Sequence, residues 1–363
     1  MPSKETIDRV LDLRPERVKE KLGSSSRVCL LNSKDILRVL KDREVIIMAC
    51  NTRIKHAVPG IMKAAEELDA VVAFELAKSE GDVDGGYTGQ NPKIYFETVI
   101  GYADERGFTK PFFIHGDHIT VKDTSTNAIE SARNLISEEL KAGYTSFAID
   151  ASFNPVQDNI RITKELAQPI VNEGIGLEVE VGEIKAAGSE GTITTVEDAL
   201  EFIQGLNEKN IHPDFLAINN GSKHGNYLEG EEISIDLQRT GEVYEAVKSY
   251  GVVIAQHGIT GTPLNLVGRF ADYGIRKGNV GTIWQNVVHE GLPEELMARM
   301  RTWAKDQGKD IKFATKPFKA EIDSINKEYA DPIETKAYEE AKSFIKAFRA
   351  VGTASMVFDG LGR

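Results

Sequence analysis

From residue 44 the chain settles into a rhythm of short apolar runs, polar turns and longer amphipathic segments. EVIIMACN reads as a strand, AVPGIMKAAEEL as a helix with Pro59 in its first turn, and AVVAFELA as the next strand. The alternation continues through FFIHGDHIT, YTSFAID, GLEVEVG, FLAIN, VVIAQHG and IRKGNVGT, with strand starts at 45, 70, 111, 144, 176, 215, 252 and 275. Near-continuous apolar runs mark strands buried on both faces, and the helical segments between them serve as parallel crossovers. Eight such units predict an α/β fold, a (β/α)8 TIM barrel, rather than an open doubly wound sheet. No GxGxxG follows a strand, so a dinucleotide fold lacks its best support.

The ends of the chain read differently. Residues 1–42 form an N-terminal helical extension, expected as two short amphipathic helices around the turn Gly23–Ser26. Beyond residue 290 the strand pattern stops, and two charged helices are expected to run to roughly Ala350. The barrel therefore spans 43–290, with 291–363 as a C-terminal helical extension that braces the barrel or a partner subunit. Within the barrel, Asp123–Ser125 supplies capping residues for a helix that Gly143 ends, and the glycine-rich stretch 79–92 is read as a lid or a set of turns.

Several strands stop abruptly at polar side chains. FFIHGDHIT ends in His115, Asp117 and His118, LAINNGSKHG reaches His224 and VVIAQHG reaches His257. Barrel active sites lie at the C-terminal ends of strands, so three imidazoles delivered there describe a catalytic divalent metal site with an open position. Glu178 and Glu180 project to one side of GLEVEVG, and Glu180 is the carboxylate nearest such a site. Asp117 and His118 are adjacent, which in a regular strand would turn them to opposite faces unless the chain bends at its end. Three glycine-bearing loops, around Gly225, around Gly258, Thr260 and Gly261, and from Gly278 through Asn279 to Thr282, follow strands six, seven and eight, where backbone N–H groups can approach an anion. Each feature has a plainer counterpart. A lone histidine packs in a core, Glu180 pairs with a barrel lysine or arginine, and glycine after a strand marks a turn.

Composition narrows the partners. The 363 residues carry a formal net charge of −12, with Lys and Arg scattered rather than striped, so a phosphate-backbone footprint is missing and nucleic acid is not the expected partner. Cys29 and Cys50 both sit in apolar runs, which argues for buried free thiols rather than a disulfide framework. The N-terminus lacks an apolar secretory core and no window approaches a membrane span of about 18 apolar residues, so a cytoplasmic, membrane-free protein is expected.

The motifs together resemble the class II, metal-dependent fructose-bisphosphate aldolases. HGDH is similar to the family's H-x-D-H, AIDASFNPVQDNI to its I-D-G-S segment and LEVEVG to its E-x-E-x-G. GSKHGNY is similar to G-x-x-H-G-x-Y and HGITG to H-G-x-S-G, all in order between Val45 and Asn286. The resemblance implies a lyase of carbohydrate metabolism, in glycolysis and gluconeogenesis, that reversibly cleaves a phosphorylated ketose to dihydroxyacetone phosphate and an aldehyde. Fructose 1,6-bisphosphate is the first substrate and tagatose 1,6-bisphosphate the alternative. It implies His118, His224 and His257 as ligands of a divalent metal, zinc first, with Glu180 at or near a second metal position and a monovalent cation as a further candidate. It implies Asp117 as the acid/base at the aldol hydroxyl and Glu190 as the carboxylate handling the carbon-bound proton. Asn51 would contact substrate, and Gly225, Gly258, Thr260, Gly261, Asn279 and Thr282 would surround the phosphate. A homo-oligomer, dimer or larger, is expected.

This chain departs from the pattern in places. EIKAAGSEG stands where the family has I-G-G-x-E-D, and Gly281 stands where many members carry an aspartate. Two rivals remain: a barrel hydrolase using the same histidines, whose usual H-x-H on strand one is IIMACN here, and a non-catalytic barrel subunit, which would lack the metal histidines.

Overall fold

The computed structural model describes residues 3–182, 193–223, 225 and 234–363. Eight parallel strands close into a barrel in sequence order: β1 (Ile47–Asn51), β2 (Val72–Ala77), β3 (Phe112–Thr120), β4 (Ser146–Asp150), β5 (Gly176–Val181), β6 (Phe215–Ile218), β7 (Val253–Gln256) and β8 (Ile275–Val280). β8 pairs with β1 to complete the ring. Every strand expected from the apolar runs is present, each starting within two residues of its expected position. The chain is a TIM barrel.

Period two explains why the barrel is dry at one end and chemical at the other. On β1 the inward positions run Ile47, Ala49, Asn51; on β2 they run Ala73, Glu75; on β3 they run Phe113, His115, Asp117. The apolar members pack into one cluster with Val10, Leu11, Ile36, Leu40, Val357 and Phe358, so segments from both chain termini plug the foot of the barrel. The polar members collect towards the C-terminal mouth.

The helices carry the boundaries that their sequences dictate. Ser125 caps Thr126–Ala142 by accepting from the Ala128 N–H, and Gly143 ends it at φ 113°, a conformation that favours glycine. Thr195 caps Val196–Asn207 in the same way. Two expectations for the extensions need correction. The N-terminal extension holds three helices, Lys4–Leu11, Glu16–Leu22 and Ser33–Leu40, because Pro15 interrupts what reads as one amphipathic run. The tail after 291 holds four, Glu294–Asp306, Lys319–Asp323, Lys327–Ala347 and Thr353–Leu361, with Gly308 and Gly352 in left-handed turns after the first and before the last. Helix Lys327–Ala347 lies against Val58–Glu67 so closely that a Cβ on Gly60 would meet the Glu334 carbonyl oxygen at 2.3 Å. The stretch expected as a lid or turns contains a short helix, Lys78–Gly81, that turns Glu80 into the mouth.

Candidate metal centre and active site

The site is built on an irregularity in β3. Its register against β4 shifts between Gly116 and Ile119, and His118 sits at φ 39°, in the left-handed region that non-glycine residues seldom adopt. The bulge resolves the difficulty of adjacent polar residues, because it lets Asp117 and His118 face the mouth together. Strain of order 1–3 kcal/mol is held at this point by the barrel around it.

His118 and His257 stand with His118 Nε2 and His257 Nδ1 2.6 Å apart. The other ring nitrogen of His257, Nε2, is 2.8 Å from Glu178 Oε1 and donates to that buried carboxylate. This fixes the tautomer and turns the Nδ1 lone pair to the mouth. His118 Nδ1 faces Glu180 Oε2 at 3.1 Å and Asp150 Oδ2 at 3.3 Å. Burial disfavours a charged His118, but the Asp117 and Glu180 carboxylates and the hydrogen bonds to Asp150 and Glu180 outweigh it and push its pKa well up.

Asp117 is held from both sides: Asn51 Nδ2 donates to Oδ2 at 2.9 Å and Asn279 Nδ2 donates to Oδ1 at 3.0 Å. Burial alone would raise its pKa, yet His118, His257, Lys277 and the Asn51 hydrogen bond carry it below the usual carboxylate range. Glu180 moves the other way, to about 7, because burial and the neighbouring Asp150 outweigh the opposing pull of His118.

Beneath this layer lies a second one. Lys277, fully buried, is 2.9 Å from Glu178 Oε2 and 3.2 Å from Glu75 Oε2, and donates to Asn279 Oδ1 at 2.9 Å. Burial opposes its charge, but Glu178, Glu75 and Asp117 overcome this and hold the ammonium. His115 shares a 2.7 Å hydrogen bond with Ser146 Oγ and, through burial and the adjacent Lys277, has its pKa pushed well down. Lys277 thus clamps Glu178 against His257 and Asn279 against Asp117, and His115 supports the layer without reaching the mouth.

The donor set fits a divalent cation. Ligand atoms of Asp117, His118 and His257 lie within 4.8 Å of one another, as do those of His118, Asp150 and Glu180. Imidazole with carboxylate suits zinc and its transition-metal neighbours. Asp117 and Asp150, both held below the usual carboxylate range, bring negative charge to this part of the mouth, which such an ion would offset.

A cleft of ≈ 560 Å³ opens above these groups, large enough for a sugar phosphate. It is lined by Asn51, Asp117, His118, Glu180, Gly225, His257, Gly258, Thr260, Asn279 and Thr282, which brings together most of the residues singled out from the sequence. Gly261 follows Thr260 in an exposed turn at φ 87°, beside the residues that line the cleft. His224 and Glu190 lie outside the described residues. Sequence reasoning missed Arg53, Glu80, Glu178 as a histidine partner, and Lys277. Glu178 shares LEVEVG and its inward parity with Glu180, whereas Arg53, Glu80 and Lys277 carry no signal read from spacing, although the inward parity of Lys277 is visible once the strands are placed.

Comparison with known proteins settles the family. The sequence profile described as fructose-bisphosphate aldolase class-II matches residues 31–353. The chain belongs to that family. It is 28% identical over 262 residues to a fructose-bisphosphate aldolase of Streptococcus pneumoniae, covering 70% of this chain and 80% of that one. It is 29% identical over 261 residues to a 6-phospho-5-dehydro-2-deoxy-D-gluconate aldolase of Halalkalibacterium halodurans, covering 69% and 76%. The crystal structure of the YdjI aldolase from Escherichia coli K12 aligns with a TM-score of 0.62 at 21% identity, covering 88% of this chain and 97% of that one. As a class II aldolase the protein is a carbon–carbon lyase, and the hydrolase and non-catalytic readings fall away. No helix among the described residues is long and apolar enough to cross a membrane.

Proposed function

We propose that this aldolase cleaves fructose 1,6-bisphosphate reversibly to dihydroxyacetone phosphate and glyceraldehyde 3-phosphate, with tagatose 1,6-bisphosphate as the alternative ketose. The observation that carries the reading is the pairing of a two-histidine cluster with an ionised, doubly held Asp117 in one cleft. His118 and His257 would hold the ion, with His224 as the third ligand and Glu180 at a second position. Zinc is the proposed metal. When bound, a divalent cation would act as a Lewis acid towards the ketose carbonyl and stabilise the negative charge that develops as the carbon–carbon bond breaks.

The remaining steps belong to the protein. Asp117 accepts the proton of the hydroxyl that becomes the aldehyde and returns it in the synthetic direction. Asn51 and Asn279 each donate one N–H to one of its two oxygens, which fixes the carboxylate plane and favours its charged form. Glu178 keeps His257 in the tautomer whose unprotonated Nδ1 faces the mouth and His118. Thr260, Thr282 and the backbone at Gly225 and Gly258 offer hydrogen-bond donors to phosphate on the side of the loops after β6, β7 and β8. Glu190 is proposed for the proton on carbon. We take 43–290 as the catalytic unit, the cytoplasm as its compartment, glycolysis and gluconeogenesis as its setting and a homo-oligomer as its working state.

The test is a coupled assay of the zinc-loaded protein against fructose 1,6-bisphosphate, tagatose 1,6-bisphosphate and ketose monophosphates. The reading predicts the highest kcat/KM with fructose 1,6-bisphosphate. Inactivity with every ketose phosphate while the metal remains bound would remove it.

A further inference from the structure

Arg53 follows β1 and lines the same cleft, but no step above uses it. Its guanidinium is divided between two tasks. Nε donates to Glu80 Oε1 at 2.6 Å, and Nη1 donates to Gln285 Oε1 at 3.1 Å and to Thr282 Oγ1 at 3.4 Å. Nη2 makes no hydrogen bond among the described residues and is not among the buried unpartnered atoms. It lies 3.0 Å from the point where a Cβ on Gly281 would stand. Gly281 stands at φ −118° and ψ −72°, and its missing side chain leaves Nη2 open to the cleft.

We propose that Arg53 reads the aldehyde half of the substrate, presenting the two N–H donors of Nη2 to an anionic terminal group, phosphate or carboxylate. This rests on the aldolase reading, because Asp117 then addresses the oxygen that becomes the aldehyde. The chain of contacts leads from that oxygen to Arg53. Asn51 Nδ2 donates to Asp117 and, at 3.2 Å, to Glu80 Oε2, while the other oxygen of Glu80 holds Arg53. The Arg53–Glu80 pair is largely buried, with side chains 14% and 5% exposed, so the fork is oriented before substrate arrives. Glu80 is itself fixed, accepting from the Ala77 N–H at 3.0 Å and the Tyr87 hydroxyl at 3.3 Å. Lys312, 5.8 Å from the Tyr87 ring centroid, brings a second cation to the same side of the cleft. A guanidinium already paired with one carboxylate attracts a second anion through directed hydrogen bonds more than through net charge, which makes it a device for selectivity.

The experiment runs the reaction in the direction of condensation, with dihydroxyacetone phosphate and three aldehydes: D-glyceraldehyde 3-phosphate, succinic semialdehyde and neutral D-glyceraldehyde. The wild type is expected to favour one of the anionic aldehydes over the neutral one in kcat/KM, and which of the two it favours names the group. R53M is expected to cut that preference by about 10-fold or more, on the scale of one lost specificity-bearing hydrogen-bonding group. G281D, which sets a carboxylate against Nη2, is expected to cut it as well and decides alone if R53M fails to fold. The proposal is overturned if the wild type shows no preference, if the variants lower all three aldehydes by the same factor, or if they raise only the KM for dihydroxyacetone phosphate. Absence of condensation by the wild type with every aldehyde would instead defeat the aldolase reading beneath it, and this proposal with it.

Discussion

Glu178 touches no substrate in this account, yet replacing it should loosen the metal. Its Oε1 takes the Nε2 proton of His257 at 2.8 Å and its Oε2 lies 2.9 Å from Lys277 Nζ, with both histidine and carboxylate side chains 1% exposed. E178Q keeps the shape and an acceptor oxygen but removes the charge, so the amide is free to turn its NH2 towards His257 and favour the wrong tautomer. Loss of such a partner weakens metal binding by about 10–100-fold, or about 1.4–2.7 kcal/mol. Lys277 keeps Glu75 at 3.2 Å, so the charge left behind is not stranded, and the loss of fold stability should stay near 1–3 kcal/mol rather than the larger cost of an unpaired buried ion. Metal affinity is read by competition with a chromophoric chelator, and stability by urea unfolding of the metal-free protein. If zinc affinity stays within twofold of wild type while stability falls, Glu178 serves the fold alone and the tautomer argument is wrong.

Two further predictions concern stability. His289 has its pKa pushed down from 6.5 to about 4, because burial and the nearby Arg301 and Arg53 outweigh the opposing Asp310. The unfolded chain therefore binds a proton that the folded one refuses, and stability present above pH 6.5 drains away as the pH falls towards 4, by about 2 kcal/mol at pH 5. H289F should lose correspondingly less between pH 7 and 5 in urea titrations, and equal losses in the two proteins would dismiss the assignment. G116A places a Cβ 2.2 Å from Glu139 Oε2, directly before Asp117, so it should lower stability by about 1–3 kcal/mol and disturb turnover. Wild-type values of both would mean that Glu139 swings aside freely.

The barrel was legible because its signal is repeated. Each strand is a short apolar run bounded by turn residues, and the inward parity of one strand is confirmed by the next. The extensions were harder, because Pro15, Gly308 and Gly352 divide charged helical segments into shorter helices at points that the helical periodicity alone does not mark. In the site, His118, His257 and Glu180 could be singled out because strand ends in a barrel converge. Their partners could not. Glu80 reaches Asn51 from a glycine-rich stretch with no periodicity, and Lys277 meets Glu75 and Glu178 across a barrel whose closure no local pattern encodes. The bulge at His118 is a tertiary feature too, since nothing in HGDHIT announces a left-handed histidine.

The central claim is that a metal held by His118 and His257 works with a separate proton carrier, Asp117. Metal content and fructose 1,6-bisphosphate cleavage, measured on the same samples of wild type and D117A, test it most directly. The account predicts equal metal content and a fall in kcat of about 10²–10⁴-fold. Turnover within tenfold of wild type at full metal content, or loss of the metal together with the activity, would contradict it.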